Sequence, residues 1–122
     1  MKMTTSTRQA ANVTIVDVGG RIQLGQESAA IRELIADLID KGHKQILLNL
    51  ADVDYIDSSG LGSLIAALAS VRKQGGDLKL VNLTNNVIDV MQITRLYTVF
   101  DIANDEATAV NSFGKSSATA KP

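Results

Sequence analysis

Residues 55–64 read "YIDSSGLGSL", an acid, two serines and two glycines set directly ahead of an apolar helical pattern. Upstream, "KQILLNL" is a near-continuous apolar run, as expected of a strand covered on both faces. Downstream, Leu61, Leu64, Ile65, Leu68 and Val71 recur at helical spacing until Gly75-Gly76. The quoted stretch is therefore a strand-to-helix junction, and the rest of the chain repeats that alternation.

After it come "DLKLVNL", a further strand, and Thr84, placed to cap a third helix carrying Val87, Ile88 and Met91. "YTVFDI" is expected as a last short strand. Asn104 is then expected to cap a final helix, with Asp105 and Glu106 in its first turn, where the macrodipole favours acids. Before the junction, Ile31, Leu34, Ile35, Leu38 and Ile39 mark a helix that Gly42 ends. "NVTIVDV" and "RIQL" flank Gly19-Gly20 and predict an opening hairpin across that pair. The order β-β-α-β-α-β-α-β-α implies an α/β fold: one domain with a mixed, mostly parallel sheet and helical cover. Residues 1–8 and 114–122 are polar and small and are expected as a disordered N-terminus and a flexible tail around a domain at 9–113. No internal repeat or linker interrupts it.

Bulk composition narrows the function. The 122 residues suit one sizeable core. Twelve basic against thirteen acidic side chains leave a net charge of −1, which argues against nucleic acid or an anionic membrane surface as the partner. With no cysteine, disulfides, thiolate catalysis and Cys-ligated metals are excluded. No apolar leader stands in "MKMTTSTRQAAN" and no run approaches the roughly 18 apolar residues of a membrane span. A cytoplasmic monomer is expected.

At the junction itself, Val53 and Ile56 are expected to anchor the connection while Asp57 and Ser58 sit where the helix begins. The first turn of a helix leaves backbone N–H groups without partners, and an Asp or Ser oxygen there commonly satisfies one. Gly60 and Leu61 stand three places on, so the reciprocal capping box is missing. Capping does not require the glycines, which cost about 1 kcal/mol each relative to alanine inside a helix. They bare the backbone to something bulky, and a phosphate is favoured at such a terminus. Asp57 would repel a standing phosphate ligand, so a phosphate placed on Ser58 and later removed suits the site better.

Competing motifs fail on their spacing. Gly60-Leu61-Gly62 lacks the third glycine of a dinucleotide fingerprint, since position 65 is Ile65. "GKS" at 114–116 lacks the P-loop glycine, since position 109 is Ala109. A nucleophile elbow needs glycine where Ile56 stands. The one histidine, His43, falls in the polar turn "KGHKQ" and is expected at the surface, and a zinc site is not expected from a single His without Cys. No catalytic residue, cofactor or metal is expected; a serine hydrolase or transferase would need a base beside Ser58.

Asp57-Ser58-Ser59-Gly60-Leu61-Gly62 resembles the signature of the bacterial anti-sigma-factor antagonists, the STAS domains. The resemblance covers about residues 10–113, with "GRIQLG", "ILLNL", "GGDLKLVNL" and "LYTVFDI" in the family's order. It implies a protein with no catalysis of its own, which binds an anti-sigma factor, typically a serine kinase, and frees a sigma factor. It further implies that the kinase phosphorylates Ser58 and that a PP2C-type phosphatase reverses this. Asp57, Ser58, Ser59, Gly60, Leu61 and Gly62 would form the contact surface. Many members carry an aspartate where this sequence has Gln23, followed by Leu24-Gly25; Gln23 would join that surface. Leu61 also belongs to the apolar stripe and fits the core equally well. The alternative is a STAS subunit of another assembly, a stress-signalling scaffold or transporter accessory, in which Ser58 is never modified.

Overall fold

The computed structural model describes residues 3–23 and 26–119. The Leu24-Gly25 step and the last residues of the expected tail lie outside them. The elements are β1 (Thr4–Ala10), β2 (Val13–Ile22), α1 (Gln26–Asp40), β3 (Gln45–Ile56), α2 (Ser58–Lys73), β4 (Asp77–Val81), α3 (Asn85–Thr94), β5 (Asp101–Ala103) and α4 (Glu106–Thr119), with a short 3₁₀ turn at Leu96–Thr98. The five strands form one sheet in the order β1-β2-β3-β4-β5. Only the β1–β2 pair is antiparallel. This is the α/β fold expected from the alternation.

The alternation of side chains along each strand divides the core in two. Val16 and Val18 of β2, Ile46, Leu48 and Leu50 of β3, and Leu78 and Leu80 of β4 face α1, α2 and α3. Val13, Ile15, Leu47 and Val81 point to the opposite face, where Ala109 and Phe113 of α4 cover them. That double cover explains why "ILLNL" is apolar without a break. Lys79 also lies on the α4 face and is almost wholly buried. Its Nζ sits 5.2 Å from the Phe113 ring centroid and 3.5 Å from Asp101 Oδ2.

Glycines end α1 and α2. Gly42 at φ +92° lets the His43 N–H reach Leu38 O at 2.9 Å, and Gly75 at φ +87° lets the Gly76 N–H reach Val71 O at 2.9 Å. Both are 6→1 closures of the last turn.

Five expectations need correction. The hairpin does not turn at Gly19-Gly20, because β2 runs straight through that pair. Its pairing with β3 slips there, between Asp17 and Gly19 and again between Gly20 and Arg21, and each slip puts one extra residue on β3, so β3 bulges opposite the glycines. The true hairpin joins β1 to β2 through Ala11-Asn12, with Ala11 at φ 55°. Residues 4–8, expected to be disordered, are most of edge strand β1. Its exposed side chains give no apolar alternation to read. Arg8 nevertheless ties the strand down, donating to Asp17 at 2.7 and 2.9 Å and to Glu106 of α4 at 2.6 and 2.9 Å. Asn49 Nδ2 adds a bond to Asp17 Oδ1 at 2.8 Å. At the other end, α4 continues to Thr119, beyond the expected tail boundary at 114. Finally, "YTVFDI" divides into the 3₁₀ turn and the three-residue β5, and Asp105, not Asn104, caps α4 by accepting the Thr108 N–H at 2.8 Å.

Candidate functional site

The quoted stretch lies where β3 ends and α2 begins. Val53 and Ile56 are fully buried and anchor the strand end. Beyond this anchor the chain needs a cap, and Asp57 supplies it. Asp57 is extended (φ −103°, ψ 178°), and its Oδ1 accepts the Gly60 N–H at 2.7 Å. Its own N–H reaches back to Ile22 O at 3.3 Å, and its carbonyl accepts the Leu61 N–H at 2.9 Å. Ser58 is therefore the first residue of α2, exposed, and not the cap. Capping, which sequence alone leaves open for either residue, is assigned to Asp57.

The remaining expected contact residues separate into two sets. Ser59 and Gly62 are exposed beside Ser58, and Asp57 is half-buried. Gly60 and Leu61 are buried, and Leu61 at 0 % exposure belongs to the larger of the two core clusters. Leu61 thus offers no surface, which resolves its double reading in favour of packing. A Cβ on Gly60 would collide with Ile22 O, so glycine is required there by the closeness of the β2 end. A Cβ on Gly62 would meet nothing within 4 Å, so packing places no demand on that glycine. Gln23 directly follows Ile22, the residue that touches both Asp57 and Gly60, and is half-buried. Ser63 is turned inward and donates to Ser59 O at 3.3 Å, which removes it as an exposed acceptor.

Support for the junction comes from α3. The β3–β4 ladder stops at Asn49–Val81, and the remainder of β3 lacks that neighbour. Two side chains take over its hydrogen bonds. Thr84 Oγ1 donates to Val53 O at 3.0 Å, and Asn86 Oδ1 accepts the Ile56 N–H at 2.8 Å. Thr84 does occupy the N-cap position of α3, as expected, but its hydroxyl serves β3 instead of the helix. Asn86 carries no sequence signal for this role, because its partner lies thirty residues away. On the β2 side, Arg21 pairs in register with Tyr55 and stacks over its ring at 5.5 Å. Tyr55 of this exposed cation–aromatic pair stands three residues before Ser58, and the pair carries no local sequence signal.

His43 precedes β3 and Ser58 follows it, so that strand separates them by on the order of 35 Å. Among the described residues no group of His, Cys, Asp or Glu could hold a metal ion, and no helix is long and apolar enough to cross a membrane. What the arrangement does offer is an accessible hydroxyl on the first turn of a sixteen-residue helix, beside a carboxylate already engaged in capping.

The STAS domain family model matches residues 4–109. The anti-sigma-B factor antagonist of Bacillus subtilis is 34% identical over 103 residues, covering 84% of this chain and 93% of that protein. Among solved structures, protein TM1081 of Thermotoga maritima superposes with a TM-score of 0.81 at 24% identity, over 89% of this chain and 93% of that one. The Bacillus cell fate determinant SpoIIAA in its phosphorylated form gives 0.67 at 20% identity, over 89% of this chain and 98% of that one. Its unphosphorylated form gives the same TM-score.

Proposed function

We propose, from the premise that this chain belongs to the STAS-domain family, that it is an anti-sigma-factor antagonist switched by phosphorylation of Ser58. Unmodified, it binds an anti-sigma factor that is a serine kinase and so frees a sigma factor. The kinase places a phosphate on Ser58, and a PP2C-type phosphatase removes it. The protein acts in the cytoplasm as a monomer, as ligand and substrate and not as a catalyst.

The observation that carries this reading is the division of labour at the junction. Asp57 satisfies the helix terminus, which leaves the Ser58 hydroxyl exposed and dispensable for the fold. A group free of structural duty can be modified without unfolding the domain. A phosphate there adds about −1.5 to −2 charges beside Asp57. A partner covering Ser58, Ser59 and Gly62 would have to desolvate that charge, and like charges brought together at an interface cost several kcal/mol. Gln23, next to the Ile22 contact, and the Arg21–Tyr55 pair extend the surface, since Arg and Tyr are common anchors at interface centres. SpoIIAA, whose fold this chain shares, is known in both phosphorylated and unphosphorylated forms, which supports the same cycle here.

The test is incubation with ATP and a candidate serine kinase from the same genome, followed by intact-mass and peptide mapping, for wild type and Ser58→Ala. One phosphate on Ser58, absent from the variant and accompanied by loss of kinase binding, is expected. Tight binding to a non-kinase partner with Ser58 never modified would replace this reading with the scaffold alternative.

A further inference from the structure

Five large hydrophobic side chains are exposed among the described residues: Tyr55, Ile88, Ile93, Tyr97 and Ile102. Three of them, Ile88, Tyr97 and Ile102, line a single groove of about 910 Å³ between α3 and β5. Scattered apolar residues on a surface need no explanation, but their concentration in one concavity does. Met91 forms the groove's floor, itself almost fully buried. The volume falls within the roughly 300–1,000 Å³ typical of small-molecule sites. Its place in the fold is also one where open parallel sheets take ligands, outside the carboxyl ends of the strands. Asn82 directly follows β4 and Asn104 directly follows β5.

The polar rim states the charge of the occupant. Asn82, Gln92 and Asn104 supply neutral amides, and among the described residues Arg95 is the one charged residue lining the groove. Arg95 makes no ion pair among the described residues. The neighbouring acid, Asp101, does not line this groove and holds Lys79 instead. A planar guanidinium at the mouth of an apolar slot, with no carboxylate among its described lining residues, suits a single carboxylate or sulfonate, which it can grip through two parallel hydrogen bonds.

We propose that the α3–β5 groove is a binding site for a small amphipathic anion, with the apolar body against Ile88, Met91, Tyr97 and Ile102 and the acid group on Arg95. This site shares no lining residue with the proposed Ser58 surface, and the proposal does not rest on that reading.

The test uses the full chain with 8-anilinonaphthalene-1-sulfonate, an apolar sulfonate, and with N-phenyl-1-naphthylamine, its uncharged counterpart. Saturable one-site fluorescence is expected, with amide NMR shifts confined to residues 82–83, 88–97 and 102–104. Arg95→Gln weakens the sulfonate about fivefold, the effect of one accessible ion pair, and leaves the uncharged probe unchanged. Ile102→Asp abolishes saturable binding of both probes. Should that variant fail to fold, Ile88→Ser on the other wall is expected to weaken both. The proposal is overturned by unsaturable fluorescence, by shifts that spare the groove, or by an Arg95→Gln effect equal for both probes. It is equally overturned if the protein self-associates, Ile102→Asp restores a monomer and neither probe binds, for then the groove is an interface between copies.

Discussion

Asn86 Oδ1 accepts the Ile56 N–H at 2.8 Å, completing with a side chain the hydrogen bonding that β4 no longer provides. The bond pins the last residue of β3 one position before the Asp57 cap, so α3 holds the segment that presents Ser58. Asn86→Ala would leave the N–H of buried Ile56 without its acceptor, a loss of about 1–3 kcal/mol. Asn86→Asp keeps the acceptor and should lose less. Urea denaturation measures the stability, and faster amide exchange at Ile56 in the alanine variant identifies the lost bond as its cause.

Two glycines in the same turn should respond oppositely. Gly60→Ala drives a methyl into Ile22 O and forces the β2 end away from α2, costing about 1–3 kcal/mol as overpacking does. Gly62→Ala meets open space and gains helix propensity, so it should stabilise by up to about 1 kcal/mol. Its methyl also projects from the proposed contact surface. Weaker partner binding by a more stable Gly62→Ala protein, measured by calorimetry, would separate recognition from folding.

Leu61 and Ser59 are close neighbours with different duties. Leu61→Ala empties a core position and should cost about 2–5 kcal/mol. Ser59→Ala changes an exposed side chain and should stay within about 0.5 kcal/mol, whatever it does to binding. Paired denaturation curves decide this, and equal losses would contradict the placement of Leu61.

Phosphorylation of Ser58 should barely move the melting temperature. The phosphate gains from the positive end of α2, about 0.3–1 kcal/mol, and loses a comparable amount to Asp57. A shift under about 4 °C is expected by calorimetry of the modified protein. A larger fall would mean that the switch acts by unfolding and not by surface charge.

Arg8 holds the carboxyls of Asp17 and Glu106 below their usual range, chiefly through its hydrogen bonds to each. Because both folded-state values are lowered, the unfolded chain takes up protons first on acidification. The stabilisation is therefore complete above the ordinary carboxylate range and is lost as pH falls through the folded values. Exposure and salt limit it, so Arg8→Ala should cost about 1 kcal/mol at pH 7. That difference should narrow below about pH 4 and shrink at high salt. Stability curves across pH for both proteins provide the check.

Much of the fold is legible in the chain because its signals are local. Leu61, Leu64, Leu68 and Val71 announce the inner face of α2, and Gly42 and Gly75 end their helices through backbone conformations that other residues resist. Where a signal depends on a partner, local reading fails. Gly19-Gly20 is compatible with a turn or with continuous strand, and the pairing of β2 with β3, which bulges opposite it, selects the strand. The exposed Thr4–Ala10 segment has no apolar alternation, so only its ladder to β2 and the Arg8 contacts reveal it as a strand.

The candidate site divides in the same way. That an acid, serines and glycines stand at a strand-to-helix junction is readable along the chain, since the 2.0 and 3.6 periodicities on either side need no tertiary knowledge. Tertiary structure alone decided that Asp57 is the cap and Ser58 is exposed, that Gly60 answers to Ile22 and Gly62 to nothing, and that Leu61 is core. It also brought Asn86 to Ile56 from thirty residues away. Periodicity records which face an element buries, whereas a hydrogen-bond partner or a steric neighbour is set by where distant segments meet.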